Sequence, residues 1–445
     1  MIGFETIGNA TITCFDDGPV LSTDPWIDGE PYFGSWSQPY TFPDEQIKNI
    51  SKSKYVWLSH GHPDHINGKS FKYFKDATLL IPDHHGDRIF DYFSSRFKCI
   101  KLKSNEWFQI SKNIKVKSFA DWNQDASLLI DILGKDCILN QNDGSLLGWK
   151  NTIKEIISNY ENRFLLKLVN WGDADMINLY DESGQFVLPE ASKRPALGCS
   201  YLQHMKNLGC NFAIPFSSFH RYTREDSIHM NEFITPLEKH YEGFSSESHN
   251  LLPAHIIWDS VSQDYAKINN EPTELVVESP EKYGDYYSDI LEPDEKALIT
   301  KYFQSFDHLA QRFGCIIFNV GGQETTIRLS NNKPKIYFQA PRSSLMKAVS
   351  YEIFDDMLIG NFMKTTLIDC DDLYPHFTPY VAKYGDNGLA KTQNELEDYF
   401  SYYKLNSANY WRDVLEINTE TFIRQMITND SVLYNVAKKL RDKLS

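Results

Sequence analysis

Short apolar and β-branched runs separated by turn residues fill the first half of the chain, and they predict strands. Ile114-Lys115-Val116-Lys117-Ser118-Phe119 alternates polar and apolar positions, the period of a strand with one buried face. Tyr55-Val56-Trp57-Leu58 and Thr78-Leu79-Leu80-Ile81-Pro82 are continuously apolar, as strands covered on both faces are. Residues 99–102, 107–110, 128–132, 136–139, 164–173 and 211–216 read as further strands. Residues 11–15 and 20–26 form a hairpin about the turn Asp16-Asp17-Gly18-Pro19, and Asp24-Pro25 reads as a second turn, with Asp24 either capping it or bordering a metal site. Helical periodicity marks 149–160 and 195–208, and 69–74 reads as the first turns of another helix. Strands interleaved with helices place the chain in the α/β class. Residues 29–43, rich in Gly, Pro and aromatics, read as a loop facing substrate.

The pattern changes near Asn269-Asn270-Glu271-Pro272-Thr273-Glu274, a polar, turn-rich stretch. It divides a catalytic domain, 1–265, from a C-terminal α+β extension, 266–445, expected to contribute to the substrate pocket. In the extension, 294–313 predicts one amphipathic helix and 392–444 a helical end. Cys315-Ile316-Ile317-Phe318-Asn319-Val320 and Lys335-Ile336-Tyr337-Phe338 predict strands, with Gly321-Gly322 between them.

Candidate chemistry concentrates in Ser59-His60-Gly61-His62-Pro63-Asp64-His65, directly after a predicted strand. The carboxyl end of a strand is where α/β folds place their active groups. Three imidazoles and a carboxylate so close together can diverge toward two adjacent cations, and the mixed donor set suits zinc, iron or manganese. A second strand ends in Asn140-Gln141-Asn142-Asp143-Gly144, where Asp143 can bridge two cations about 3.5–4 Å apart. Asp83-His84-His85 follows the strand 78–82 and reads as a neighbouring loop, not as a ligand set.

The pattern His-x-His-x-Asp-His resembles the metal-binding signature of the metallo-β-lactamase superfamily, which implies a four-layer αββα sandwich. The superfamily's third metal-binding His is expected within Ala120-Asp121-Trp122-Asn123-Gln124-Asp125, where this chain has only carboxylates, so Asp121 or Asp125 takes that place. A carboxylate there makes the site harder and tilts it toward iron or manganese. His220 stands where the resemblance expects the last ligand, with His229 as competitor. Arg221 and Arg224 beside it are candidates for binding an anionic substrate group. Ser59 to His65, Ile138-Leu139 through Asp143, Ala213-Ile214-Pro215-Phe216 and Phe354-Asp355-Asp356-Met357-Leu358-Ile359-Gly360-Asn361-Phe362 are together similar to one branch, the catalytic region of CMP-N-acetylneuraminate hydroxylases.

That branch implies a di-iron oxygenase acting on an acylated or nucleotide-linked sugar-like small molecule. His60, His62 and Asp143 would hold one iron, and Asp64, His65, His220 and Asp125 would surround the other. The branch's Rieske cluster needs a Cys-x-His…Cys-x-x-His arrangement that none of the seven cysteines makes, so electrons would come from a separate donor. The alternative is a zinc or manganese hydrolase of a phosphodiester, lactone or amide, with Asp64 orienting a metal-bound water. The net charge of −15 argues against a nucleic-acid partner. Scattered cysteines, no run long enough to span a bilayer and no secretion signal at the start imply a cytoplasmic protein without a membrane partner.

Overall fold

A computed structural model describes residues 1–169, 177–193, 196–217 and 219–415. Two sheets stack face to face. In the first, the strands run in the order Asp264–Lys267, Ile256–Asp259, Ile2–Ile7, Thr11–Asp16, Pro19–Thr23, Tyr55–Trp57, Thr78–Pro82 and Cys99–Leu102. From Pro19–Thr23 onward the pairing is parallel. The second runs Asn250–Leu251, Phe212–Pro215, Asn162–Lys167, Asp136–Asn142, Ala126–Ile132, Ile114–Ala120 and Trp107–Gln109.

Side chains from both sheets interdigitate in one buried cluster that includes Phe4, Leu21, Trp57 and Leu80 against Val116, Leu128, Ile138 and Phe164. Alternate residues on the same strands point outward and bury helices. Val56, Leu79 and Ile81 pack with Ile50 of the helix Asp44–Lys52 and Phe93 of Arg88–Ser94. Leu129, Leu139 and Leu165 pack with Ile153 of Lys150–Ile157 and Tyr201 and Met205 of Gly198–Leu208. The result is the four-layer αββα sandwich implied by the sequence. Strands covered on both faces explain why the apolar runs are continuous.

A third sheet, in the order Leu179–Tyr180, Lys364–Ile368, Lys335–Gln339, Cys315–Val320 and Gln323–Arg328, builds the α+β part. Its core is an aromatic cluster of Phe303, Phe318, Phe338, Phe354 and Phe377. The helix predicted over 294–313 is broken into Pro293–Gln304 and Asp307–Arg312 at Ser305 and Phe306. Phe306 takes an extended backbone that carries its ring to the core. The helix Gln393–Leu405 opens with a Thr392/Glu395 capping box; the rest of the predicted helical end, beyond 415, lies outside the described residues. So do 170–173 of the predicted strand and Pro195 at the start of a predicted helix.

The polar boundary stretch is not a free linker. Thr41 donates its amide to Glu271 O at 2.8 Å, and Thr273 Oγ1 donates to Gln38 O at 2.6 Å. It thereby fastens the loop 38–41, which leads away from the site.

Candidate metal centre

Parallel pairing lines up strand ends, so residues just past them gather at one rim of the sandwich. Tyr55–Trp57 delivers the loop 59–65 from one sheet, and Asp136–Asn142 delivers Asp143 from the other. Asn142 ends its strand at φ +43 beside a register shift, and the resulting bend turns Asp143 toward the histidines.

His60 Nε2 lies 2.9 Å from His62 Nδ1 and 3.5 Å from Asp143 Oδ2. His65 Nε2 lies 3.4 Å from Asp64 Oδ2 and 3.7 Å from Asp143 Oδ2. Among the described residues, His60, His65 and Asp143 offer donor atoms all within 4.8 Å of one another. His65 Nε2 and Asp143 Oδ1 are buried with no hydrogen-bond partner there. Buried polar atoms are ordinarily satisfied. Converging imidazole nitrogens and carboxylate oxygens with bonding capacity to spare fit a divalent cation.

Burial and neighbouring charges pull in opposite directions on several groups of the cluster. Burial drives the His60 pKa well below its usual value, and His65 and His62 add to this. Burial acts in the same sense on His65, but Asp64, Asp143 and Asp24 outweigh it and raise the ring to about 10. Asp125 reaches to 3.9 Å from His60 Nδ1 and 3.8 Å from Lys383 Nζ. Burial would lower the Lys383 pKa, yet Asp125, Asp355, Asp143 and Asp121 together hold it up, so the ammonium stays charged. Asp121 lies behind Asp125, accepts from Ser145 Oγ at 2.7 Å and is pushed up to about 7 by burial and by Asp125. Of the two carboxylates in that turn, Asp125 is the one at the cluster.

Asp64 is gripped at both oxygens. Asn9 Nδ2 donates to Oδ2 at 2.8 Å, and the Tyr32 hydroxyl donates to Oδ1. Tyr32 and Phe33 have φ of 54 and 58, an unusual backbone for bulky residues that aims Tyr32 into the site. The loop 29–43 thus supplies a side chain to the cluster. His220 is buried, with its ring stacked on Trp36 at 3.4 Å between centroids. His229 lies 3.3 Å from Asn178 Oδ1 and edge-on to Phe186.

The two arginines are engaged by the protein. Arg224 is fully buried, with Asp226 at 2.7 Å, Asp285 at 2.9 Å and Phe33 O at 2.9 Å. Arg221 donates to Thr273 Oγ1 and to Glu274 O. Arg224 therefore anchors the turn that carries Tyr32, and Arg221 ties that region to the 271–274 stretch.

Of the two readings of Asp24, capping a turn or bordering the metal site, the structure favours the second: it is fully buried, accepts from Ser59 N at 2.7 Å and faces His65 Nδ1 at 3.1 Å. Two further groups were not singled out as site residues. Asp355, in the segment 354–362 that carried the resemblance but no site role, lies 3.1 Å from His62 Nε2; Lys383, which no local pattern announces, meets Asp125. His84 and His85 stay outside the cluster, bonded to Tyr403 Oη and Gly388 O.

No family model matches the chain. A stretch of 114 residues, 25% of the chain, is 26% identical to cytidine monophosphate-N-acetylneuraminic acid hydroxylase of Asterias rubens and spans 16% of that protein. Similar solved structures include a possible metal-dependent hydrolase from Veillonella parvula DSM 2008, 10% identical, covering 60% of this chain and 100% of that one at TM-score 0.36. CmlA, a diiron β-hydroxylase from Streptomyces venezuelae, is 10% identical over 60% of this chain and 54% of its own, at TM-score 0.36. The metallo-β-lactamase fold protein YhfI from Bacillus subtilis is 17% identical over 46% and 76%, at TM-score 0.27.

Proposed function

We propose that this chain is a metal-dependent enzyme that hydroxylates a small molecule at a dinuclear centre, with iron as the preferred metal and a separate protein as electron donor. The observation that carries the reading is the donor set itself. Asp125, Asp64 and Asp143 bring three carboxylates to imidazoles, a harder and more anionic set than zinc sites of histidine and thiolate. Similarity to a hydroxylase over 114 residues supports the same direction.

Asp125, whose carboxylate reaches to 3.9 Å of the His60 ring on its Nδ1 side, is assigned with His60, His62 and the shared Asp143 to one position. Asp64, His65, His220 and Asp143 serve the other. Bound iron would supply there an O2-binding Lewis acid and reducing electrons. The chain's own groups fix the geometry: Tyr32 and Asn9 orient Asp64, and Lys383 neutralises carboxylate charge left over around Asp125. Trp36, itself buried, stacks on the His220 ring and fixes its plane. The C-terminal part contributes Asp355 and Lys383, which face His62 and Asp125.

The second reading is hydrolysis with zinc or manganese, in which Asp64 orients a metal-bound water. Metal analysis of protein made without chelators, with Mössbauer spectra of an iron-57 sample, separates the two. Coupled iron pairs that consume O2 on reduction support hydroxylation. Zinc or manganese with negligible iron, or iron inert to O2, overturns it.

A further inference from the structure

The sequence reading ends its ligand set at His220, yet the carboxylate in contact with His62 comes from the other end of the chain. His62 turns Nδ1 toward His60 Nε2 at 2.9 Å and Nε2 toward Asp355 Oδ2 at 3.1 Å. The two ring nitrogens therefore have different tasks. Nδ1 faces the cation position and must be free of its proton to bind; the proton then resides on Nε2, where Asp355 accepts it. A carboxylate on the outer nitrogen fixes the tautomer, locks the ring plane and makes the inner nitrogen a stronger donor.

Asp355 is itself firmly held. It opens the helix Asp355–Ile359, and its neighbour Phe354 is buried among Phe303, Phe338 and Phe377 with centroids 5.2 to 6.0 Å apart. The Phe354 amide donates to Asp386 Oδ2 at 3.3 Å. Asp386 lies on the wide-turned helix Pro379–Asn387, which also carries Lys383 to Asp125. One rigid piece of the C-terminal part thus presents both an anion to His62 and a cation to Asp125.

We infer that Asp355 is the positioning residue of the metal centre: it holds His62 in the Nε2–H tautomer with Nδ1 aimed at the cation, so that high-affinity loading requires the docked C-terminal part. This rests on the dinuclear reading above. Removing such a carboxylate typically weakens metal affinity about 10–100-fold.

The test uses the full chain, zinc as a redox-silent probe and chelator competition, with Asp355→Ala and Asp355→Asn beside wild type. Asp355→Ala is expected to lose about 10–100-fold affinity at one equivalent while the second stays near wild type. Asp355→Asn, whose amide oxygen still accepts from Nε2–H, recovers most of the loss. A readout independent of metal is the His62 ring proton in nitrogen-edited NMR, protected on Nε2 in wild type and lost in Asp355→Ala. Wild-type affinity at both equivalents in a folded Asp355→Ala, or a His62 proton on Nδ1 in the zinc-loaded wild type, overturns the inference. A wild-type chain that binds no zinc overturns the dinuclear reading instead, and the ring proton still decides the Asp355 contact.

Discussion

Arg224 offers a sharp test, because sequence position suggests a substrate contact and its surroundings suggest an anchor. Its guanidinium has no exposed surface and sits between Asp226 and Asp285, the latter equally buried. Arg224→Met keeps much of the volume and removes the charge. Asp285 would retain Ser344 N at 2.8 Å and Ser344 Oγ but lose its counter-charge. Breaking a buried pair from one side costs about 3–5 kcal/mol, because the partner charge remains buried and uncompensated. At about 2 °C per kcal/mol, suited to a large domain, the midpoint falls by roughly 6–10 °C. The assay is thermal unfolding of metal-free protein at constant pH, so that loss of bound metal does not contribute. Asp285→Asn in the same background should restore part of the midpoint, since the orphaned charge is gone. An unchanged midpoint combined with weaker binding of anionic small molecules would refute the anchor and return Arg224 to the substrate.

Two further outcomes are expected. Glu5 is fully buried and accepts from Gln46 and Asn49 at 3.2 Å; burial raises it from 4.5 to about 7. The folded chain thus holds this proton more tightly, so Glu5's contribution is full below about pH 4.5 and fades as pH climbs through 7, a swing on the order of 3 kcal/mol. Glu5→Gln should flatten the fall in urea midpoint between pH 5 and 8; an unaltered slope would place the titration elsewhere. Zinc or ferrous ion at a hundredfold excess over its dissociation constant should stabilise the chain by about 2.7 kcal/mol per site. His60→Ala should lose much of that gain, and an equal gain in the variant would move the metal away from the His60 cluster.

How much could be read in advance follows from range. His60 to His65 and Asp143 were legible because each lies just past an apolar strand, and a strand end is a local signal. The strands themselves were legible because coverage on both faces leaves uninterrupted apolar runs. The break at Ser305 was not, since the residues on either side keep a helical pattern and only the aromatic core decides where Phe306 must point. For Arg224, residue type and position suggested substrate, while its buried partner Asp285, which suggests an anchor, stands 61 residues on. Tyr32 required a left-handed backbone that no propensity favours. Asp355 and Lys383 depend on how separate sheets dock, which spacing does not encode.

The contact between His62 and Asp355 joins residues 293 positions apart, and that separation has a meaning in time. A ribosome adding 5–20 residues per second needs roughly 15–60 s to travel from one to the other. By residue 267 the last strand of the sandwich has been made, while the carboxylate that faces His62 is still to come. On the reading above, a nascent chain at that stage would present the imidazoles without the carboxylate that orients His62. That carboxylate would come only with the aromatic core that surrounds Phe354 and sets Asp355 against the ring.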